Sequence, residues 1–411
     1  MSGQKRRLVF ISPVFLFPND AGGKIRTTNI LRGLKSGAFE IILLSVATAE
    51  QQKRWAAEIE GVCDHFLSWA PNPVRPKWLR SADLFSNLPV NVTADQSVQG
   101  STAVRNVIAQ FHPDVVVFDF VHSAVLLPKT LLCAGVCFTH NVESEIFARH
   151  AAKAPNWMRR WLWSSQHRKM LRFEQGALNR FSAVVAVSDR DARFFTSSYH
   201  VKNVQSIPTG VDLDFFKWQE PLEIKSGTSP TIVFTGSMDW EANIDGVQFF
   251  LREVWPQVLS GCPKARFIVV GRNPPPSLLA LGKSLRQVEF TGFVDDVRPY
   301  VYSAHVFVIP LLVGGGTRIK AFEAMAMGCP IVSTSIGTEG LGAEPGLHFL
   351  ERDDVRSLAG AILGIVASRE LRLTISRNAR HLVEQRFGHQ VAASAFEKIC
   401  LNVLAQKPSV E

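Results

Sequence analysis

Short apolar runs, rich in β-branched and aromatic residues, alternate along this chain with longer stretches of helical periodicity. In the first half the runs are RLVFIS (7–12), FEIILLSV (39–46), DVVVFD (114–119), AGVCFTH (134–140) and AVVAVS (183–188). In the second half they are TIVFTG (231–236), RFIVVG (266–271), VEFTG (288–292), VFVIP (306–310) and PIVST (330–334). Runs apolar on both faces and separated by helices predict parallel sheets with helices on both sides. Two such sets predict two Rossmann-like α/β domains. The boundary falls near 205/206, where SIPTGVDLDFF (206–216) and the Pro, Gly and Ser of 221–230 read as a linker. Residues 390–405 carry one more helical pattern.

Charge separates the two halves. The net charge is +9, but residues 1–205 hold 25 basic and 15 acidic side chains against 20 and 21 in 206–411. That asymmetry excludes a uniformly basic nucleic-acid binder and predicts that the halves meet different partners. Six cysteines in 411 residues are too few for a disulfide scaffold. Cys133 and Cys137 sit in LLCAGVCF, read as a core strand, with no His/Cys cluster to make a metal or redox site. No apolar stretch approaches 18 residues, so none should span a bilayer. The basic start MSGQKRRLVF reads as a first strand, and the protein is expected in the cytoplasm.

The densest chemical signal is GGGTRIKAFEAMAMGCPIVSTSIGTEGL (314–341). Gly314, Gly315 and Gly316 follow a strand and open a helix, so backbone N–H groups lie bare for a close ligand. Thr317 is placed to cap that helix, and Arg318 and Lys320 add cations at its positive end. This combination suits an anion, above all a diphosphate. The Walker A spacing is missing. Glu323, farther along the helix, can accept hydrogen bonds from the vicinal hydroxyls of a ribose.

This segment resembles the C-terminal signature of the retaining GT-B glycosyltransferases of family 4, which use nucleotide-sugar donors. FTGSMDWEANIDGVQFFLREVWP (234–256), RFIVVGRNPP (266–275), VEFTGFVDDVRPYVYSAHVFVIPL (288–311) and IPTGVDLDFF (207–216) also look like that family. So, less tightly, do AGGKIRTTNILRGL (21–34), FTHNVESEIF (138–147) and RFEQGALNRFSAVVAVSD (172–189). The resemblance implies two Rossmann-like domains facing a cleft. The first is an acceptor domain of residues 1–205 to which a helix at 390–411 returns, and the second is a nucleotide-sugar domain of residues 206–389. Glu323 matches the second Glu of the family's Glu-x7-Glu motif, the ribose ligand, while Gly315 stands where the first Glu belongs. The family's Arg and Lys pair after the first strand of the second domain is replaced by GSMDW (236–240). Arg318 and Lys320, with Arg272 as second choice, are then the cations left for the diphosphate. Gly236 and Asp239 belong to the expected donor site, and Gly292, Phe293 and Val294 match the nucleobase loop. Gly22 and Gly23 resemble the glycine loop of the first domain, with Lys24 and Arg26 nearby. His140, at the end of FTHNVE, matches a cleft His that approaches the donor sugar, with Glu143 a rival polar group. The implied reaction is glycosyl transfer with retention, needing no metal and no cofactor beyond the nucleotide-sugar co-substrate. A nucleotide-sugar epimerase of the same fold and a catalytically impaired binding protein are the alternatives.

The surplus positive charge has a location. RHAAKAPNWMRRWLWSSQHRKMLR (149–172) holds seven Lys/Arg and no acid, and RPKWLR (75–80) adds three cations around Trp78. Trp157, Arg159, Arg160, Trp161, Trp163 and Trp78 therefore read as an interfacial contact with an anionic membrane. That fits a lipid-linked saccharide or glycolipid acceptor in bacterial polysaccharide assembly, with no nucleic-acid partner and the protein peripheral at the inner membrane face.

Overall fold

Each apolar run identified in the sequence forms a strand, and the strands assemble into two all-parallel sheets, one in each of two units. The structure, a computed structural model, describes residues 5–19, 21–35, 37–72, 86–152, 154, 156–224, 229–313 and 318–405. One unit comprises Met1–Gly210 with His389–Glu411, and the other Val211–Gly388.

The first unit holds seven strands: β1 (Arg6–Ser12), β2 (Phe39–Val46), β3 (His65–Trp69), β4 (Val115–Asp119), β5 (Ala134–Phe138), β6 (Ala183–Ala186) and β7 (Val204–Ser206). Their spatial order is β3-β2-β1-β4-β5-β6-β7. The second unit holds β8 (Thr231–Thr235), β9 (Arg266–Val270), β10 (Val288–Gly292), β11 (Val306–Ile309), β12 (Ile331–Ser333) and β13 (Leu350–Glu351), ordered β10-β9-β8-β11-β12-β13. In each sheet the direction of strand addition reverses at one place, between β1 and β4 and between β8 and β11. Ligands of open α/β sheets bind beyond the carboxyl ends of strands at such a switch point.

LLCAGVCF is a strand only from Ala134. Register with β4 starts at Val115↔Ala134, and Leu132 before it is 86% exposed. β3, β7 and β13, which lack a strong apolar run, lie at sheet edges or beside them.

The helices that bear on the site are α1 (Gly22–Lys35), α2 (Val90–Asp95), α3 (Glu143–Ala152), α4 (Trp157–Leu178), α5 (Asp189–Tyr199), α6 (Glu241–Phe249), α7 (Ile319–Met327) and α8 (His389–Ala405). α8 belongs to the first unit, where its Phe396 packs on Phe10 and Phe138. Gly33 of α1 permits that approach, since a Cβ there would lie 2.3 Å from the Ala393 Cβ. In the second unit α7 buries Ala321, Phe322, Ala324, Met325, Ala326 and Met327. Each large side chain among them contributes on the order of 1.5–3 kcal/mol, which fixes the helix against the sheet. Gly328 ends it in the left-handed region (φ 83°).

Candidate functional site

In the first unit the chemistry gathers at the switch point. β1 ends in Ser12, β4 ends in Asp119, and His140 stands two residues beyond β5, so three adjacent strands deliver three polar side chains to one place. Asp119 is wholly buried. It accepts from Ser12 Oγ (3.0 Å), from Thr27 Oγ1 of α1 (3.1 Å) and from His140 Nε2 (2.7 Å). His140 Nδ1 is buried and has no hydrogen-bond partner. Burial holds the imidazole below its ordinary pKa, against the pull of Asp119. The ring is therefore neutral near pH 7.

Phe120 follows Asp119 at φ 62°, a conformation costing a non-glycine residue about 1–3 kcal/mol. That turn lays its ring between two imidazoles: His140 at 4.0 Å between centroids and His122 at 5.1 Å. Gly23 is required beneath it, because a Cβ there would lie 2.7 Å from Phe120 Cζ. His122 Nδ1 pairs with Asp95 at the end of α2. Burial alone would lower its pKa, but Asp95, Glu143 and Asp119 outweigh it and the pKa is raised.

The segment after His140 is held from α4. The buried Glu174 accepts from the N–H groups of Glu143 (2.9 Å) and Ser144 (3.1 Å), which open α3, and from the Tyr199 hydroxyl (2.8 Å). Burial lifts its pKa to about 7 despite these donors. Glu143, the rival polar group, is itself buried, with its pKa raised by desolvation. Arg26 is buried rather than offered to solvent. Burial lowers its pKa to about 10, while Asp191 and Asp119 act to raise it.

In the second unit the carboxyl ends of β8, β9 and β10 are laced together through glycines. Gly236 N–H donates to Val270 O (2.9 Å), Gly271 N–H donates to Gly292 O (3.2 Å), and Met238 N–H donates to Arg272 O (2.9 Å). α7, which follows β11 across the switch point, sends Lys320 to this edge. Its Nζ donates to Asn243 Oδ1 (3.1 Å), lies 4.2 Å above the Phe234 ring, and would be 2.7 Å from a Cβ on Gly236. Asn243, buried on α6, also donates to Ser237 O (2.8 Å). It thus fixes both the cation and the loop beside it. Burial and the charge of Arg318 bring the Lys320 pKa down to about 7, against Glu323. Burial raises Glu323, one turn along the helix, to about 7, against Lys320.

The remaining residues named from the sequence fall as follows. Arg318 is buried at the start of α7, donates to Ile336 O (3.3 Å), and sits 5.8 Å from the Trp240 ring centroid. Arg272 and Asp239 are paired with each other (2.9 Å), and Asp239 also accepts from Ser237 and Asn273. Those bonds from Asn273, Ser237 and Arg272 lower the Asp239 pKa. Arg272 is thus already matched by a carboxylate rather than standing as a spare cation. Gly292 has φ 72°, Phe293 is 66% exposed, and Val294 packs against the core. Gly22 and Gly23 are the first residues of α1. Gly314, Gly315, Gly316, Thr317 and Trp78 lie outside the described residues. Trp157 (78% exposed) and Trp161 (60%) project to solvent with Arg159 and Arg160. Trp163 does not. It stacks on His150 (4.8 Å) and against Phe147, because α4 turns that side toward α3, so it is a packing residue and not a surface contact.

Asp119, Asn243, Glu174, Phe120 and His122 were missed in the sequence. Asp119 carried a signal, the polar end of an otherwise apolar run; the others carried none.

Residues 22–215 match the Glycosyltransferase Family 4 profile, and residues 229–368 match the Glycosyl transferases group 1 profile, together taking in most of the chain. The chain belongs to this glycosyltransferase family. The chain is 24% identical over 278 residues to the lipopolysaccharide core biosynthesis mannosyltransferase LpcC of Rhizobium leguminosarum bv. viciae, covering 64% of the chain and 76% of that protein. It is 28% identical over 193 residues to the phosphatidyl-myo-inositol mannosyltransferase of Mycolicibacterium smegmatis, covering 46% of the chain. The match spans about half the length of that relative, 49%. A similar share, 45%, is spanned in an uncharacterized protein of the Klebsiella pneumoniae cps region. In fold it is similar to the sucrose-phosphate synthase of Thermosynechococcus elongatus (TM-score 0.70, 16% identity, 98% of this chain and 100% of the other). It is also similar to Alr3699/HepE of Anabaena, solved with UDP and glucose (TM-score 0.63, 15% identity, 95% and 98%). The GT-B fold of two Rossmann-like halves is thereby shown.

Proposed function

We propose that this protein transfers a glycosyl group from a nucleoside-diphosphate sugar to a hydroxyl of a saccharide or lipid-linked acceptor, with retention at the anomeric carbon and without a metal. The observation that carries this reading is Lys320, an ammonium held by Asn243 and Phe234 at the switch point of the second sheet, with Glu323 on the same helix. A diphosphate leaving group gains negative charge as the bond from the anomeric carbon to its oxygen breaks. A cation and helix N–H groups already in place lower that barrier without reorganisation. The acceptor oxygen attacks from the face the diphosphate leaves, and its proton passes to a diphosphate oxygen. No side-chain nucleophile is then needed, and the two-carboxylate arrangement of glycosidases is not used. Glu323 is assigned to the ribose hydroxyls. Arg318, closed in by Ile336 and Trp240, supports the helix start and its field, while Lys320 provides the direct contact. Alr3699/HepE, whose fold is similar, was solved with UDP and glucose, which supports a nucleotide-sugar donor.

The acceptor side of the reading rests on α4. Trp157, Met158 and Trp161 are exposed beside exposed Arg159, Arg160, Arg168 and Arg172. Among the described residues no helix is long and apolar enough to cross a membrane. Apolar rings interleaved with arginines suit an anionic lipid surface, where each basic residue contributes about 1 kcal/mol. Relatives named for lipopolysaccharide core and phosphatidyl-myo-inositol mannosylation support a lipid-linked acceptor.

A thermal-shift panel of nucleoside diphosphates and nucleotide sugars comes first, since a selective ligand raises the melting temperature by mass action. Transfer from the selected donor to membrane-extracted lipid acceptors follows, with the product anomer assigned by NMR. Inverted configuration would refute retention. Binding without transfer or donor hydrolysis favours the impaired-binder alternative, and conversion of free donor to its epimer favours the epimerase.

A further inference from the structure

The most tightly specified polar cluster among the described residues lies in the first unit. A buried carboxylate has three donors converging on it, and one of them is a ring whose other nitrogen is left bare. A hydrogen bond from Nε2 to a carboxylate fixes that proton on Nε2. The Nδ1 lone pair of His140 is then an acceptor, buried and unpartnered. An orphaned buried acceptor is costly and asks for an explanation in a native structure. The ring is also locked in place. Phe120 stacks on it at 4.0 Å, Phe138 flanks it at 4.5 Å, and Thr27 Oγ1 lies 3.4 Å from Nε2. Nδ1 faces the start of α1, being 3.6 Å from where a Cβ on Gly23 would stand. A lone-pair acceptor aimed at a helix N-terminus does not suit an anion, which the helix dipole would attract but the lone pair would repel. It suits a neutral hydroxyl, whose hydrogen goes to Nδ1 and whose oxygen accepts from the helix end.

We propose that Asp119 is a positioning residue that holds His140 in the Nε2–H tautomer, so that Nδ1 accepts a hydrogen bond from a substrate hydroxyl at the start of α1. The proposal rests on the glycosyl-transfer reading above and assigns the ligand group on this unit as a hydroxyl, not a phosphate. The hydroxyl belongs either to the donor sugar or to the acceptor. No covalent step is assigned to His140. Ser12 and Thr27 donate the other two hydrogen bonds to the buried carboxylate and fix its orientation toward the ring.

The test uses the full-length protein labelled with 15N at histidine, with the His140 signals assigned from their loss in His140→Gln. The wild type shows the Nε2–H pattern for His140. Asp119→Asn keeps the size, removes the charge and lets an amide N–H face Nε2, so an Nδ1–H population emerges. Transfer falls about 10²–10⁴-fold, as for a carboxylate orienting a catalytic imidazole, while the melting shift given by the nucleoside diphosphate is retained. Thr27→Val removes one of the carboxylate's partners but not its charge, so the Nε2–H tautomer persists there even as melting falls. If the donor sugar supplies the hydroxyl, Asp119→Asn loses donor hydrolysis and transfer alike; if the acceptor does, only transfer falls. Asp119→Asn keeping the Nε2–H pattern, or switching tautomer while transferring at the wild-type rate, overturns the proposal. Should the wild type transfer no sugar, the functional reading fails, and the tautomer comparison still decides whether Asp119 positions the ring.

Discussion

Lys320 and Glu323 occupy one turn of α7, and burial brings both pKa values to about 7 from opposite sides. A diphosphate beside Lys320 restores the ammonium, and ribose hydroxyls donating to Glu323 restore the carboxylate. Binding should therefore move protons, and in a direction set by pH. At pH 8 a group with pKa near 7 is about 90% deprotonated, so Lys320 takes up about 0.9 proton when the nucleotide binds. At pH 6 Glu323 is about 90% protonated, and binding releases a similar amount. Isothermal titration of the selected nucleoside diphosphate in buffers of different ionisation enthalpy reads both numbers. The buffer dependence should change sign between pH 6 and pH 8. Lys320→Met should abolish the uptake at pH 8 and weaken binding, and Glu323→Gln should abolish the release at pH 6. Stability follows the same linkage without ligand. The lysine pKa is depressed in the folded state, so the unfolded chain binds more protons between about pH 7 and the ordinary lysine range, and stability rises with pH there. The glutamate pKa is raised, so its contribution is lost as pH rises from the ordinary carboxylate range through about 7. Lys320→Met should accordingly stabilise the free protein at neutral pH, by on the order of 1 kcal/mol after screening of the partly exposed ammonium. Buffer-independent heats at pH 8, or proton uptake that survives in Lys320→Met, would refute the assignment of Lys320 to the diphosphate.

Other perturbations separate positioning from packing. Asn243→Ala leaves Lys320 Nζ and the Ser237 carbonyl without their shared partner, and should weaken nucleotide binding by about tenfold, the loss of a charge-assisted hydrogen bond, measured by the same calorimetry. Glu174→Ala strips the acceptor from the opening N–H groups of α3 and should lower stability by about 1–3 kcal/mol in chemical denaturation. On α4, Trp157→Ala with Trp161→Ala should reduce co-sedimentation with anionic phosphatidylglycerol vesicles while leaving the melting temperature within a degree or two. Trp163→Ala should do the reverse, costing about 2–3 kcal/mol of stability with vesicle binding per folded molecule unchanged.

The central strands were legible because burial on both faces leaves a run of branched and aromatic residues with few rival conformations. The edge strands were not. HFLSW buries one residue of five, and VQS none fully, so tertiary pairing and not composition makes them strands. Site residues divided in the same way. Lys320 and Glu323 could be named because a glycine run, a helix start and charges stand within a few positions of one another. Asp119 meets Ser12, Thr27 and His140 across sequence separations of 107, 92 and 21 residues. Nothing local links the four; the strand order β1-β4-β5 does. Asn243 is hidden for the same reason, lying 77 residues from its cation. Trp163 shows the opposite failure. It shares a basic, tryptophan-rich segment with Trp157 and Trp161, and only the packing of α4 on α3 turns one ring inward.

The replacement of the expected Arg and Lys pair by GSMDW acquires a physical meaning from this geometry. A cation is still present at the carboxyl end of β8, but it arrives from α7 on the other side of the switch point, and its Nζ lies over the Phe234 ring beside Gly236. The glycine leaves the room that the ammonium fills. Gly236→Ala would place a Cβ 2.7 Å from Nζ and 2.8 Å from Asn243 Nδ2, so it should displace the lysine without touching its charge. If placement is what matters, that variant should lose nucleotide affinity nearly as far as Lys320→Met does, with its proton uptake at pH 8 reduced as well. If only net charge at the site matters, Gly236→Ala should bind as the wild type does, and the cation's address at the strand end would count for nothing.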